Sequence, residues 1–182
     1  TGTILINSGA AYTNAAAVTL NLTCSDGTGS GCAEMQFSDD NSTWTTAESY
    51  AVSKAYTLPV GDGVKTVWVK FKDNAGNWTA AEMKDEIMLD TTAPTIPTGT
   101  AIINNGDQFT KSIAVNITSL TGTDTTSGIA AYYLSETATL PADPVWVTLS
   151  SPIVGATLAV AQNVPFTLSA GDGTKTIYAW LK

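Results

Sequence analysis

The feature that most constrains the fold of this chain is an internal repeat. The stretch from Gly61 to Lys72 returns as Gly171 to Lys182 at an offset of 110 residues, and the segment that begins at Thr1 returns at Thr98 at an offset of 97 residues. Because similar sequences fold in similar ways, the repeat predicts two domains of one fold within the 182 residues rather than a single large domain.

Short segments with alternating apolar and polar side chains indicate β-strands. Val18, Leu20 and Leu22 alternate with polar residues, a pattern typical of a half-buried strand. The predicted strands of the first copy lie at residues 1–7, 17–24, 33–38, 43–46, 54–58 and 86–89, with one more in the repeated stretch. About seven strands at a spacing of roughly 8–12 residues, without helical periodicity, predict an all-β fold with two packed antiparallel sheets, a β-sandwich.

The repeat also places the domain boundaries. We expect a first β-sandwich at residues 1–92, a proline-containing linker at 93–97 and a second β-sandwich at 98–182. Alternate residues of the repeated strand predict the core face of each domain. These residues are Val67, Val69 and Phe71 in the first domain and Ile177, Ala179 and Leu181 in the second.

The second copy differs from the first in two respects. Thirteen extra residues fall between Ser135 and Thr167, and Pro141 and Pro144 favour an edge strand there. The copy also ends at the counterpart of Lys72, so it lacks the last strand of the first copy. We therefore expect a piece of a longer protein, in which a neighbouring molecule supplies the missing strand or the exposed edge frays.

Composition excludes several classes of function. The net charge is −8 and all eight basic residues are lysines, so no basic stripe is available for nucleic acid or for an anionic membrane surface. Histidine is absent, which removes the commonest general base and most zinc sites. No facing carboxylate pair, phosphate-binding loop or membrane-spanning apolar run is recognisable. The sequence therefore predicts neither an enzyme nor a membrane-inserted segment.

Two linked motifs carry a resemblance to a known family. Asp62 to Asn77 reads Asp-Gly-Val-Lys-Thr-Val-Trp-Val-Lys-Phe-Lys-Asp-Asn-Ala-Gly-Asn, and Leu89 to Pro94 reads Leu-Asp-Thr-Thr-Ala-Pro. This pattern resembles the tandem bacterial immunoglobulin-like repeats of large secreted or surface-anchored proteins. The resemblance implies two tandem immunoglobulin-like or fibronectin-III-like domains at an extracellular location, with a non-catalytic structural or adhesive role. The implied partners are adjoining repeats of the same polypeptide and a surface protein or glycan.

The two cysteines of the chain predict a disulfide. Cys24 and Cys32 flank a seven-residue loop between neighbouring predicted strands. Without histidine, a tetrahedral zinc site would need two chains to share it. In an extracellular module the pair favours a disulfide, which stabilises by about 2–3 kcal/mol in the chain-entropy account. The second copy has Thr121 and Ile129 at the matching positions, so the fold does not require the bond.

Three acidic residues in turns suggest a structural calcium ion at a domain junction. In stacked sandwiches the loops that carry Asp62, Asp90 and Asp124 would approach one another, and carboxylate and carbonyl oxygens are the ligands that calcium takes. The alternative is that these residues serve the turns themselves through local hydrogen bonds. No Asp-x-Asp-x-Asp spacing is present, which favours the turn interpretation and a protein without a cofactor.

Outward-facing aromatic residues in the second copy suggest a carbohydrate-binding surface. If the alternate residues face the core, Tyr178 and Trp180 face solvent, and Tyr133 lies on the outward face of the strand predicted beside them. Flat exposed rings can stack on sugars, so an accessory carbohydrate-binding module is the alternative function. Cross-strand packing explains the same residues without a ligand. Elsewhere in the chain, we predict that the ends of the core are covered by Trp44, Trp78 and Trp146.

Overall fold

The chain is an all-β protein that separates into two compact units. The computed structural model describes residues 1–182 apart from the side chain of Thr157. Contacts divide the chain into unit 1, Thr1–Thr91, and unit 2, Thr92–Lys182. The only helical element of the described residues is a 3-10 turn at Asn104–Gly106. No helix in this described part of the chain is long and apolar enough to cross a membrane.

Unit 1 is a sandwich of two sheets. Its strands are β1 (Gly2–Ile6), β2 (Tyr12–Thr13), β3 (Ala17–Cys24), β4 (Cys32–Ser38), β5 (Glu48–Ser49), β6 (Ser53–Thr57), β7 (Gly63–Asp73) and β8 (Met83–Leu89). One sheet has the order β1-β3-β6 and the other the order β2-β8-β7-β4-β5. Neighbouring strands are antiparallel except β2 and β8, which run parallel. This division of strands is that of an immunoglobulin-like sandwich and confirms the predicted fold class.

The core of unit 1 follows from the alternation in its sequence. Val67, Val69 and Phe71 of β7 are almost completely buried, as predicted, and apolar side chains from both sheets join them in one cluster. The turn before β7 depends on Gly61 and Gly63, whose φ values are 88° and 118°. Residues with a Cβ rarely adopt such values, so these glycines allow the abrupt entry into the strand.

The strand predicted at residues 43–46 is wrong, because the chain bends at residues 39–43 and residues 44–47 have no regular structure. The Asp40 carboxylate accepts hydrogen bonds from the backbone N–H groups of Ser42 and Thr43 at 2.8 and 2.7 Å, which favours a turn over an extended strand. The short edge strand lies after this turn, as β5. The last strand, predicted at 86–89, begins three residues earlier, and β2 is too short for its periodicity to be detected.

Unit 2 is built around one long strand that takes part in two sets of pairings. Its strands are β9 (Ile102–Ile103), β10 (Ala114–Ser135), β11 (Val147–Ala161), β12 (Val164–Thr167) and β13 (Tyr178–Leu181). The first part of β10 pairs with β9 and β12, and its later part pairs with β11 and β13. Register shifts between residues 120 and 131 interrupt the ladder at the crossing between these pairings.

The core of unit 2 lies at this crossing. Leu120 and Ile129 of β10 are completely buried. The predicted inward residues of the repeated strand, Ile177, Ala179 and Leu181, pack against this cluster but are only half-buried. The alternation predicted for the repeated strand is thus present in unit 2, but its inward residues are more exposed than their counterparts in unit 1.

The thirteen extra residues of unit 2 lengthen β11, an edge strand of 15 residues. The sequence predicts the edge strand around Pro141 and Pro144, which instead lie in the connection before β11. Each proline fixes φ and removes an N–H donor, so this segment leaves the ladder rather than joining it. A different proline, Pro152, lies within the edge strand, where pairing on one side alone tolerates it.

The two ends of unit 2 are held in different ways. Thr95, in the predicted linker at 93–97, exchanges two backbone hydrogen bonds with Thr123 at 3.0 and 2.9 Å, and Ile96 packs against the core of unit 2. At the other end, β13 pairs with β10 on one edge. No strand among the described residues pairs with its second edge, whereas β7 of unit 1 lies between β4 and β8.

Candidate functional site

The disulfide between Cys24 and Cys32 joins the two sheets of unit 1. Cys24 ends β3, Cys32 begins β4, and their Cα atoms are 6.3 Å apart. The loop between them also contacts the connection after β7, because the Asn74 side-chain amide donates to the Ser30 carbonyl at 2.8 Å. The bond therefore fixes the connection between β3 and β4, which lie in different sheets. This connection lies next to the loop after β7, to which it is hydrogen-bonded.

Two acidic residues of the calcium hypothesis lie near the end of unit 1. The Asp62 carboxylate accepts hydrogen bonds from the backbone N–H and the hydroxyl of Thr91 at 2.9 and 2.8 Å. Asp90 is buried, and its backbone N–H donates to the Thr13 carbonyl at 2.9 Å. The contacts of Asp62 are those of an acidic residue that stabilises a neighbouring turn.

The third acidic residue, Asp124, is buried within unit 2. Its carboxylate accepts hydrogen bonds from the N–H groups of Thr126 and Gly128 at 3.0 and 2.9 Å, close to the register shifts of β10. Among the described residues, no group of three or more His, Cys, Asp or Glu side chains could hold a metal ion. Calcium binding at Asp62, Asp90 and Asp124 therefore stays a prediction.

Four aromatic residues form a continuous row on unit 2, which we call the aromatic row. Tyr133 and Trp180 lie directly opposite each other on β10 and β13, with ring centroids 5.7 Å apart. Trp146 contacts Tyr133 at 6.2 Å, and Tyr178 contacts Trp180 at 6.2 Å. The structure thus brings together the three predicted residues and adds Trp146, whose place in a long connection no sequence pattern indicates.

The equivalent face of unit 1 is organised around a lysine. Lys70 stands at the position of Trp180, and its ammonium group lies 4.2 Å from the ring centroid of Trp44 and 5.2 Å from that of Trp78. Gln36 stands at the position of Tyr133 and donates to a backbone carbonyl at 2.7 Å. Trp44 and Trp78, predicted to cover the ends of the core, are therefore partners of an outward-facing cation.

The aromatic row offers a contact surface with both apolar and polar components. Its rings are tilted by 36–63° to one another, so each ring packs partly against the next. Tyr178 is the most open member at 38% exposure. Phenol and indole rings combine an apolar face with a hydrogen-bonding group, a combination suited to ligands that carry C–H faces and hydroxyl groups.

Neither a family model nor a curated protein matches the chain. Five solved chains are similar to it, and they include the following two. The fibronectin(III)-like modules of Clostridium thermocellum CbhA align with a TM-score of 0.46 at 11% identity, over 98% of this chain and 86% of that one. A tetra-tandem repeat in the extending region of a large adhesion protein aligns with a TM-score of 0.29 at 17% identity, over 100% of this chain and 48% of that one. Both similarities are too distant to carry an argument about function.

Proposed function

We propose that the chain is a non-catalytic structural or adhesive repeat segment of a larger secreted or cell-surface bacterial protein. Its immediate partners are adjoining repeats of the same polypeptide, and no cofactor takes part. The repeated core pattern and the disulfide of unit 1 support this role. The observation that carries this proposal is the parallel pairing of β2 with β8. Strands paired in this way can resist a force that pulls on the two ends of unit 1.

The pairing of β2 with β8 links the beginning of unit 1 to its end. Tyr12 lies opposite Met88, and the N–H groups of Met88 and Asp90 donate to the carbonyls of Ala11 and Thr13 at 3.0 and 2.9 Å. Since the two strands are parallel, a force applied at the ends of the unit reaches them from opposite ends of their ladder. The hydrogen bonds are then loaded together in shear instead of opening one after another.

Single-molecule stretching of the full chain between its termini tests this role. We expect unit 1 to unfold in one step at a higher force than unit 2. Complete extension of about 90 residues releases roughly 300 Å of chain. Reduction of the disulfide frees the segment between Cys24 and Cys32, whose sequence separation is 8. The intact bond already spans 6.3 Å between the two Cα atoms, so reduction should lengthen the unit 1 step by about 20–23 Å and so identify it.

A substitution in β2 gives the control for this experiment. Thr13→Pro removes an N–H group from the short parallel ladder and should lower the force of the unit 1 step while leaving the unit 2 step unchanged. Equal unfolding forces for the two units, or a unit 1 force that Thr13→Pro leaves unchanged, would contradict a role of β2 and β8 in resisting tension.

The aromatic row favours a second candidate function, an accessory carbohydrate-binding module. Tyr133, Tyr178 and Trp180 would stack on the apolar faces of sugar rings, with Trp146 extending the surface. A glycan array probed with the intact chain and with Trp180→Ala tests this candidate. Binding that Trp180→Ala abolishes would support it, and Trp78→Ala in unit 1 is the matched control. An array without binding, or binding lost equally in both variants, would exclude it.

A further inference from the structure

The chain contains four acceptor sequences for N-linked glycans. These Asn-x-Ser/Thr sequences begin at Asn21, Asn41, Asn77 and Asn116. In a secreted protein, such an asparagine accepts a glycan where the sequence lies on an accessible surface loop. The acceptor reacts through its side-chain nitrogen, and the Ser or Thr hydroxyl two residues later is part of the recognised pattern. The contacts of each sequence in the fold therefore distinguish the four candidates.

Two of the four asparagines are held by hydrogen bonds of their own side chains. Asn21 lies on β3, which pairs with both β1 and β6, and its side-chain oxygen accepts hydrogen bonds from the N–H and the hydroxyl of Ser8, both at 3.1 Å. The side-chain nitrogen of Asn77 donates to the Asp73 carboxylate at 2.9 Å. A transferase would have to break these contacts before either asparagine could react.

The third asparagine, Asn116, is exposed but belongs to a paired strand. It lies on β10 opposite Pro165 of β12, and its backbone N–H donates to the side-chain oxygen of Asn104 at 2.9 Å. The hydroxyl that completes its acceptor sequence, on Thr118, donates to the Ile102 carbonyl at 3.2 Å. Exposure alone therefore does not make Asn116 an acceptor, because its backbone and the recognised hydroxyl are both engaged within unit 2.

The fourth asparagine, Asn41, lies in the exposed bend between β4 and β5. Residues 39–43 are all exposed, and the φ of Asn41 is 57°. The bend is held by the preceding residue, since the Asp40 carboxylate accepts hydrogen bonds from the N–H groups of Ser42 and Thr43. Among the described residues, none forms a hydrogen bond with the Asn41 side chain. The nitrogen to which a glycan would be attached is therefore accessible in the folded chain.

We propose that Asn41 is an N-glycosylation site, the acceptor of an oligosaccharide carried on a polyprenyl diphosphate. The proposal rests on the secreted or cell-surface location proposed above, because N-linked glycans are added to secreted chains. In the transfer, the side-chain nitrogen of Asn41 forms a bond to the anomeric carbon of the first sugar. The bond from that carbon to the diphosphate oxygen breaks, and the lipid diphosphate leaves with the electron pair. A base of the transferase takes up the proton that the nitrogen loses.

The residue two positions before each asparagine distinguishes Asn41 in the same direction as the fold. Asp39 precedes Asn41, and its carboxylate accepts a hydrogen bond from the Tyr56 hydroxyl at 2.9 Å through one of its two oxygens. Single-subunit bacterial transferases read an acidic residue at this position, in the pattern Asp-x-Asn-x-Ser/Thr. The other three sequences have uncharged residues there, namely Thr19, Ala75 and Ala114.

Glycosylation with purified components tests the proposal. The folded full chain, with its disulfide intact, is incubated with a single-subunit bacterial transferase and a polyprenyl-diphosphate-linked oligosaccharide. Intact mass and peptide mapping should show a single glycan on the chain, attached to Asn41. Asn41→Gln should abolish the addition, and the matched control Asn116→Gln should leave it unchanged. The location of the chain does not enter this experiment, so its failure is distinguishable from a failure of the proposed structural role, which the stretching experiment tests.

A second variant separates the effect of the fold from that of the acidic residue. Ala114→Asp gives Asn116 the same pattern as Asn41, Asp-x-Asn-x-Thr, but leaves it on the paired strand β10. The folded variant should still carry its only glycan on Asn41, whereas a synthetic peptide of residues 112–120 with the same substitution should be modified at Asn116. The proposal is overturned if the folded native chain carries no glycan on Asn41, or if folded Ala114→Asp is modified at Asn116 as fully as at Asn41.

Discussion

Units 1 and 2 share the pattern of inward core residues in the repeated strand but differ in the residues on its outward face. At the offset of 110 residues the inward positions of the repeated strand stay apolar, whereas the outward position of Lys70 becomes Trp180. In unit 1 the lysine lies between two tryptophans, and in unit 2 the tryptophan belongs to a row of contacting rings. The inward positions are constrained by packing against the opposite sheet, and the outward ones are free to change the surface chemistry of the module.

The crossing between the sheets differs in the same way. Unit 1 passes from β3 to β4 through a loop closed by a disulfide, and unit 2 makes the passage within β10, with the long edge strand β11 paired alongside. A covalent bond in one unit and added backbone pairing in the other stabilise the same connection. The comparison indicates that both units require the core pattern, whereas each unit stabilises the connection between its sheets in its own way.

The largest expected effect comes from truncating the core of one unit at a time. Phe71 is 1% exposed, and Phe71→Ala should destabilise unit 1 by about 3–5 kcal/mol through lost burial and a residual cavity. Its counterpart Leu181 is half-buried, so Leu181→Ala should cost unit 2 less than about 2 kcal/mol. Hydrogen exchange in urea, followed separately on β3 and β12, measures both. Loss of protection in unit 2 on Phe71→Ala would show that the units do not unfold separately.

The disulfide should have the next largest effect, and only on unit 1. Replacing Cys24 and Cys32 by serine removes a short-loop constraint worth about 2–3 kcal/mol, which corresponds to a fall in Tm of roughly 10–20 °C for a domain of this size. Calorimetry of the variant and of the reduced native chain measures the change. A fall in the unit 2 transition as well would contradict the interpretation that β10 secures its crossing without a covalent bond.

Substitutions on the outward faces should change the stability of each unit less than substitutions in the core or loss of the disulfide. Trp180→Lys gives unit 2 the residue that unit 1 has and removes the contact with Tyr133, so it should cost about 0.5–1.5 kcal/mol. Lys70→Ala in unit 1 removes the cation above Trp44 and should cost about 0.5–1 kcal/mol. A double-mutant cycle of Trp180→Lys with Tyr133→Ala measures the coupling of the ring pair. A coupling near zero would mean that the rings adjoin without stabilising unit 2.

The sequence was sufficient for features that depend on local periodicity. The alternation at Val67, Val69 and Phe71 predicts the buried face of β7, and the same reasoning places Tyr133 on the outward face of the strand beside Trp180. The structure adds that the two residues lie directly opposite each other. Local periodicity does not predict the features that depend on a tertiary contact. The chain bends at residues 39–43, where the Asp40 carboxylate accepts nearby N–H groups, so the strand predicted at 43–46 does not form. Trp146 joins the aromatic row through a long connection. Neither contact leaves a periodic signal.

The smallest expected effect is a pH dependence confined to unit 1. Hydrogen bonds from the backbone N–H groups of Thr43 and Ser42, and from the Ser38 hydroxyl, hold the pKa of the Asp40 carboxyl well below its usual range. The unfolded chain has the ordinary pKa of about 3.9, so the stabilisation is fully present above that pH and is lost as the pH falls towards the folded-state value. Because Asp40 lies at the surface, solvent screening keeps the effect small.

Calorimetry of unit 1 between about pH 5 and pH 2 measures this dependence. Asp40→Asn retains an acceptor oxygen but does not titrate, so its transition should fall less steeply with acid than that of the native chain. Asp143→Asn, in the connection before β11 of unit 2, is the matched control and should leave the slope for unit 1 unchanged. If the slope for Asp40→Asn equals that of the native chain, the turn at residues 40–43 does not contribute to the acid sensitivity of unit 1.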